Sequence, residues 1–217
     1  MTTHSRKGNI FDSPIAALSG REGGMRHTWP AAVLLLVLLI GFRLLSAAGE
    51  WANFSPLPAV FLCCIVFFRG TKAWVLPIAA WLLSNPIASW IQSENYNPLE
   101  TFGAELTAFI SLLVIGALAL PLRKKPQLGL MIGAGIGAAL LFHFITGVGA
   151  WLSYPAYPKN LTGLEQSLWS GPVGSPLPSW VFLRNAICSN VIFTLAFALS
   201  CLKWPALTSR ELAATTR

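Results

Sequence analysis

The chain has 217 residues, 54% of them hydrophobic and only 11% charged, with a net charge of +7 and a mean hydropathy of +0.62. Ordinary soluble domains carry about 25% charged residues, whereas the runs from Ala31 to Phe42 and from Leu106 to Leu122 have none. A soluble enzyme, a disordered chain and a disulfide-stapled secreted domain all fit poorly, and a polytopic membrane protein remains.

A bilayer core about 30 Å thick needs roughly 20 apolar residues per helix, and apolar runs between Gly, Pro and charge punctuation give six segments. Residues 1–28, with Gly20, Gly23 and Gly24, read as a mobile cytoplasmic tail without recognisable chemistry. The first segment is Trp29 to Ala48. Ser46-Ala47-Ala48 resembles a signal-peptide cleavage site, but the long preceding tail and Arg43 argue for a retained helix. Leu57 to Phe68 is too short for a plain span, and the preceding Asn53-Phe54-Ser55-Pro56-Leu57-Pro58 reads as a re-entrant segment or as unwound first turns. Ala73 to Ile91 contains Pro77 and Pro86, which predict kinks and freed carbonyls. Phe102 to Leu122 follows, then Leu128 to Ala150, where Gly129, Gly133 and Gly137 form a small-residue stripe. Packing inside the bundle is expected of that stripe ahead of dimerisation. The sixth segment is Ser179 to Leu202, and residues 204–217 form a second cytoplasmic tail. The expected fold is all-α, a six-helix transmembrane domain over 29–203 with both termini inside.

Charge placement supports this layout. Twelve basic residues (Arg6, Lys7, Arg21, Arg26, Arg69, Lys72, Arg123, Lys124, Lys125, Lys203, Arg210 and Arg217) fall on one side, and Lys159 alone on the other. That is the positive-inside pattern, so the surplus charge is an orientation signal and no nucleic-acid partner is needed. Glu50, Glu94, Glu100 and Glu165 fall in the outer loops. Trp29, Trp74 and Trp204 lie near the inner edge and Trp51, Trp90, Trp151 and Trp180 near the outer edge, as interfacial indoles do.

Polar residues inside the membrane are costly and usually face the protein interior or a cavity. Arg43, Asn85, Glu105, His143, Arg184 and Asn185 fall on five segments at a similar depth, in the outer third, with Asn190 deeper. The inner halves are almost wholly apolar, which suits capture of a solute from outside. The competing reading has Arg43 and Arg184 snorkelling to the interface while Asn85 and His143 bridge helices. The outer stretch from Trp151 through Tyr154 to Pro158 is aromatic and stiffened by prolines. It reads as a binding loop or as part of the interfacial belt.

Other chemistries have little support. Cys63 and Cys64 are adjacent, without CxxC or zinc spacing, though Cys63 is placed to offer a soft metal ligand if it faces the cavity. No phosphate-binding GxxxxGK[ST] loop, HExxH helix or Ser/His/Asp set is present, so an enzyme is not expected. Asn53-Phe54-Ser55 and Asn160-Leu161-Thr162 match glycosylation sequons, which arise often by chance.

Several motifs in order carry a family resemblance: Arg43-Leu44-Leu45, Asn53 to Ala59, Leu76-Pro77 to Leu83-Ser84-Asn85, Phe142-His143 to Trp151-Leu152, Tyr157 to Leu164, and Phe182-Leu183-Arg184-Asn185 leading to Phe193-Thr194. Over about residues 40 to 200 the chain resembles an uncharacterised bacterial family of membrane transport proteins. That family is similar in layout to the S components of energy-coupling-factor vitamin transporters, including the solitary cobalamin type. The resemblance implies a six-helix S-component-like bundle in the bacterial cytoplasmic membrane that binds a vitamin-like solute, cobalamin or a relative, on its outer face. It also implies toppling in the bilayer with a transmembrane coupling subunit and ATPases, unless the protein works alone. Cys63 would then be the candidate cobalt ligand of a corrinoid, with no resident cofactor. The chain departs from the pattern at Asn85, where many relatives would carry an acid, and in a lengthened segment from Gln166 to Trp180.

The expected solute-lining residues are Arg43, Asn53, Asn85, Glu105, His143, Trp151, Tyr154, Arg184 and Asn185. The alternative is a non-transporting scaffold or assembly partner, with a closed polar cluster and an exposed glycine stripe.

Overall fold

A computed structural model describes residues 36–37, 40–48, 53–92 and 98–215, the side chains of 92, 98–100 and 202–215 excepted. Among the described residues there are seven α-helices and no strand. They are α1 (40–48), α2 (Leu57–Phe67), α3 (Lys72–Gln92), α4 (Pro98–Ala119), α5 (Leu128–Ser153), α6 (Leu161–Glu165) and α7 (Ser179–Thr215). A 3₁₀ turn, Leu120–Lys124, follows α4, and a π turn, Gln166–Ser170, follows α6.

Among the described residues four stretches are long and apolar enough to cross a membrane: Lys72–Ile91, Thr101–Lys124, Leu128–Ser153 and Ser179–Cys201. In the first three only 28% of the window is buried in the protein. Leu82, Phe102, Leu118 and Phe144 are among the large apolar side chains left exposed around the bundle, as expected where lipid is the solvent. The chain is an integral, multi-pass membrane protein by helix length and hydropathy. The expectation of six crossings meets four here. The first predicted span is described only from residue 36, and residues 1–28 lie outside the described residues. The second is an eleven-residue helix of about 16 Å, half a bilayer core.

That short helix lies at the centre. Every residue from Leu57 to Val66 is buried, because α2 is apolar all round and packs against α3, α4, α5 and α7. Its ends must find hydrogen-bond partners inside the protein, since hydrocarbon supplies none. At the C-terminal end, Arg123 Nε donates to the Ile65 carbonyl at 2.5 Å. The cation thus meets both an orphan acceptor and the negative end of the helix dipole. At the N-terminal end Asn53 takes a left-handed φ of 55°, which Asn tolerates, and Ser55 Oγ accepts a 3.4 Å bond from the Leu57 N–H.

The glycine stripe on α5 corrects an expectation. Gly129, Gly133 and Gly137 are exposed, and a Cβ at any of them would meet nothing within 4 Å. The inward face is the one carrying Met131, Gly135, Ala138, Ala139, His143 and Gly147. Gly135 makes the close crossing, where a Cβ would lie 2.8 Å from Thr194 Oγ1 and 3.3 Å from the Asn190 carbonyl of α7. α3 continues through Pro77 and Pro86, and α7 through Pro205 to Thr215, past the expected end at Leu202.

Gly135→Val is expected to destabilise the purified protein by about 1–3 kcal/mol through overpacking. Gly133→Ala, with open space and a gain in helix propensity, should be neutral or stabilising by up to about 1 kcal/mol. Thermal unfolding in detergent measures both.

Candidate functional site

The N-terminal end of α2 opens on a cavity of about 480 Å³. A full-length helix would have filled this space; instead its wall is the 53–57 turn together with α1, α3, α4, α5 and α7. α1 contributes Arg43 and Ser46, the turn Asn53, Phe54 and Ser55, and α3 Trp81, Asn85 and Ser89. Ala104, Ala108 and Leu112 of α4, Phe142, His143 and Thr146 of α5 and Ser179 and Phe182 of α7 complete the wall, with Tyr157 and Ser167 from the connection between α5 and α7.

Arg43 is the one formally charged side chain on that wall among the described residues. Its Nη1 donates to Ser55 Oγ and its Nη2 to Asn85 Oδ1, both at 2.7 Å, while Nε is buried without a hydrogen-bond partner. The guanidinium therefore joins α1, α3 and the start of α2 through neutral oxygens. Glu105 attracts Arg43 electrostatically and accepts a 3.4 Å bond from Ser89 Oγ, but it is not part of the wall.

His143 lies on the wall and also holds the connection between α5 and α7. Its Nε2 lies 2.9 Å from the Leu168 carbonyl, and since a carbonyl only accepts, Nε2 carries the proton. That bond ties the π turn Gln166–Ser170 down onto α5. Gly147 assists, because a Cβ there would lie 2.6 Å from Leu168 Cδ2. Asn160, the residue of the second sequon, caps α6 by accepting from the Gly163 N–H at 3.0 Å. Lys159, in the connection between α5 and α6, donates to the carbonyls of Trp151 and Tyr154, where a cation also suits the C-terminal dipole of α5. A segment without strong sequence periodicity is thus an ordered cover over one side of the cavity.

Arg43, Asn53, Asn85 and His143 of the expected set meet on this wall, and the rest lie elsewhere. Trp151 donates from Nε1 to the Pro158 carbonyl within the loop, and Tyr154 is exposed, with Tyr157 in the lining instead. Arg184 is exposed, 5.3 Å from the Trp180 ring and bonded to Asn185 Oδ1, away from the wall. Cys63 is fully buried in the apolar core, not on the wall, which removes it as a ligand for anything in the cavity. Among the described residues no three His, Cys, Asp or Glu side chains gather as a metal site. Ser46, Ser89, Thr146, Ser167 and Ser179 escaped sequence reasoning because hydroxyls are common in apolar helices, where they bond their own backbone, as Thr146 does to Phe142.

The family of unknown function DUF6580 matches residues 24–207, most of the chain. The chain belongs to DUF6580. No curated protein matches this DUF6580 chain, and no solved structure does.

Removing the His143 tether tests the cover. In His143→Leu the Leu168 carbonyl loses its partner, and amide exchange across 161–170 should rise by about tenfold or more, the equivalent of about 1–3 kcal/mol. Exchange at Ile115 in the core should not change.

Proposed function

We propose that this DUF6580 chain is a solute-binding uptake protein of the bacterial cytoplasmic membrane, an S-component-like bundle with both termini cytoplasmic and its cavity facing outward. The observation that carries this reading is the cavity itself, which has one partly buried guanidinium, neutral hydrogen-bonding groups and the aromatic rings of Trp81, Phe142 and Phe182 at the end of an apolar half-helix. Discontinuous helices that end at a binding site within the membrane are a recurring device of transporters. The basic loops support the orientation. Arg69 and Lys72 follow α2 and Arg123 to Lys125 follow α4, and the bond from Arg123 to Ile65 brings those ends together. The cavity lies at the opposite end of α2. With the positive loops inside, the cavity is on the outer side.

The volume refines the solute. About 480 Å³ accommodates a drug-sized molecule, so the small end of the vitamin-like class fits better than an enclosed corrinoid. Energy would come from a separate coupling subunit with its ATPases, or uptake would proceed without one. A broad thermal-shift screen of the full-length chain in nanodiscs checks the reading. At least one small solute should stabilise it, and Ala108→Phe, which projects a ring from the wall into the cavity, should abolish that shift while leaving the unliganded melting temperature within a few degrees. If no solute stabilises the protein, solute capture is wrong.

One observation favours a second reading, assembly with another membrane protein. The open Gly129, Gly133 and Gly137 face suits close backbone approach by a neighbouring helix. Gly133→Leu would then shift the protein to smaller species by mass photometry in nanodiscs, whereas an unchanged mass removes this reading. The open cavity weighs against a scaffold whose polar cluster is closed.

A further inference from the structure

The wall chemistry narrows the kind of molecule the cavity takes, provided the proposed solute capture holds. Arg43 is largely withdrawn from solvent on the cavity wall, with its two hydrogen bonds on neutral oxygens, Ser55 Oγ and Asn85 Oδ1. A cation taken from water into such surroundings is strongly favoured to meet a negative charge. Glu105 attracts it without a direct bond and stays off the wall, so it balances the charge only in part.

A second source of positive potential coincides with the first. The eleven-residue α2 begins at the cavity, and a helix N-terminus carries roughly half a positive charge. Pro58 has no N–H and Ser55 takes up the Leu57 N–H, so this end supplies field more than free donors. A residue chosen only to stabilise α2 would be an acid here, yet an arginine stands there. The N-cap carries no acidic residue in the first turn either. Guanidinium and helix end thus place positive potential on the same spot, and no described carboxylate lines the wall.

The remaining walls describe the rest of the ligand. Trp81, Phe142 and Phe182 offer ring faces and edges, and Trp81 is already braced against Phe109 at a centroid distance of 4.6 Å. Such rings suit a flat, apolar body. Arg43 retains N–H groups on its terminal nitrogens beyond the two already used, in the planar geometry that matches a carboxylate.

We propose that the cavity selects flat, apolar carboxylic acids, holding the carboxylate at Arg43 beside the start of α2 and the body among the aromatic rings. Matched acid and amide pairs isolate the charge: indole-3-acetate with indole-3-acetamide, and 4-phenylbutyrate with 4-phenylbutyramide. Calorimetric titration of the full-length chain in nanodiscs should give at least one acid binding about tenfold or more tighter than its amide, the value expected of a charge-assisted bond. Arg43→Gln should remove that preference and Arg43→Lys should keep part of it. Asn85→Asp places an internal carboxylate where Asn85 Oδ1 now accepts from Arg43, so it should weaken acid binding while preserving the fold. Equal binding of acid and amide, absence of binding by both acids, or an acid preference that survives both Arg43→Gln and Asn85→Asp overturns the proposal. The broad solute screen separates the two failures: neutral or cationic solutes that bind leave solute capture standing without carboxylate selection, and a screen with no binder removes both.

Discussion

A helix of eleven residues placed inside a bundle that crosses a bilayer is under one severe constraint: hydrocarbon offers its terminal N–H and C=O groups no hydrogen-bond partner. The two ends of α2 meet it in opposite ways. Arg123 reaches the Ile65 carbonyl and closes the C-terminal end with a charge of favourable sign. The N-terminal end is turned through Asn53, Phe54, Ser55 and Pro56, with Ser55 giving a partial cap. Because the helix stops there, the surrounding longer helices enclose space beyond it, and that space is the cavity. Site and fold are consequences of the same truncated element.

Arg43 ties this arrangement together. Its guanidinium bonds Ser55 of the turn and Asn85 of α3 from a position on α1, so one side chain fixes three elements around the cavity while leaving a positive potential on its wall. Arginine suits the task better than lysine, because a planar fork with five N–H groups serves several partners at once. The cover is built on a different principle. His143, Lys159 and Asn160 each satisfy main-chain groups, so an irregular connection becomes ordered without a hydrophobic core of its own.

The exposed faces follow from lipid as solvent. Leu82, Phe102, Leu118 and Phe144 would be liabilities on a soluble protein and are ordinary on a bilayer-facing surface. Seen in that setting, the open Gly129, Gly133 and Gly137 stripe is a groove facing lipid or a neighbouring helix, and the bundle closes through Gly135 instead.

Composition and hydropathy alone determined that the chain is helical and embedded in a membrane, since a bilayer admits few alternatives, and the apolar runs bound α3, α4 and α5 to within a few residues but stopped short of the end of α7 at Thr215. The cost of polar groups in hydrocarbon also made Arg43, Asn85 and His143 legible as residues that must face inward. Sequence could not say which way each helix turns about its axis. For that reason the glycine face expected to pack is the open one, Glu105, Trp151, Tyr154, Arg184 and Asn185 do not reach the wall expected of them, and Cys63, a ligand only if it faced the cavity, does not face it. Nor does sequence show that a basic loop residue, Arg123, caps a helix 58 positions away or that His143 binds the Leu168 carbonyl. Those outcomes depend on the rotation and depth of each helix against its neighbours, which packing decides and no single segment encodes.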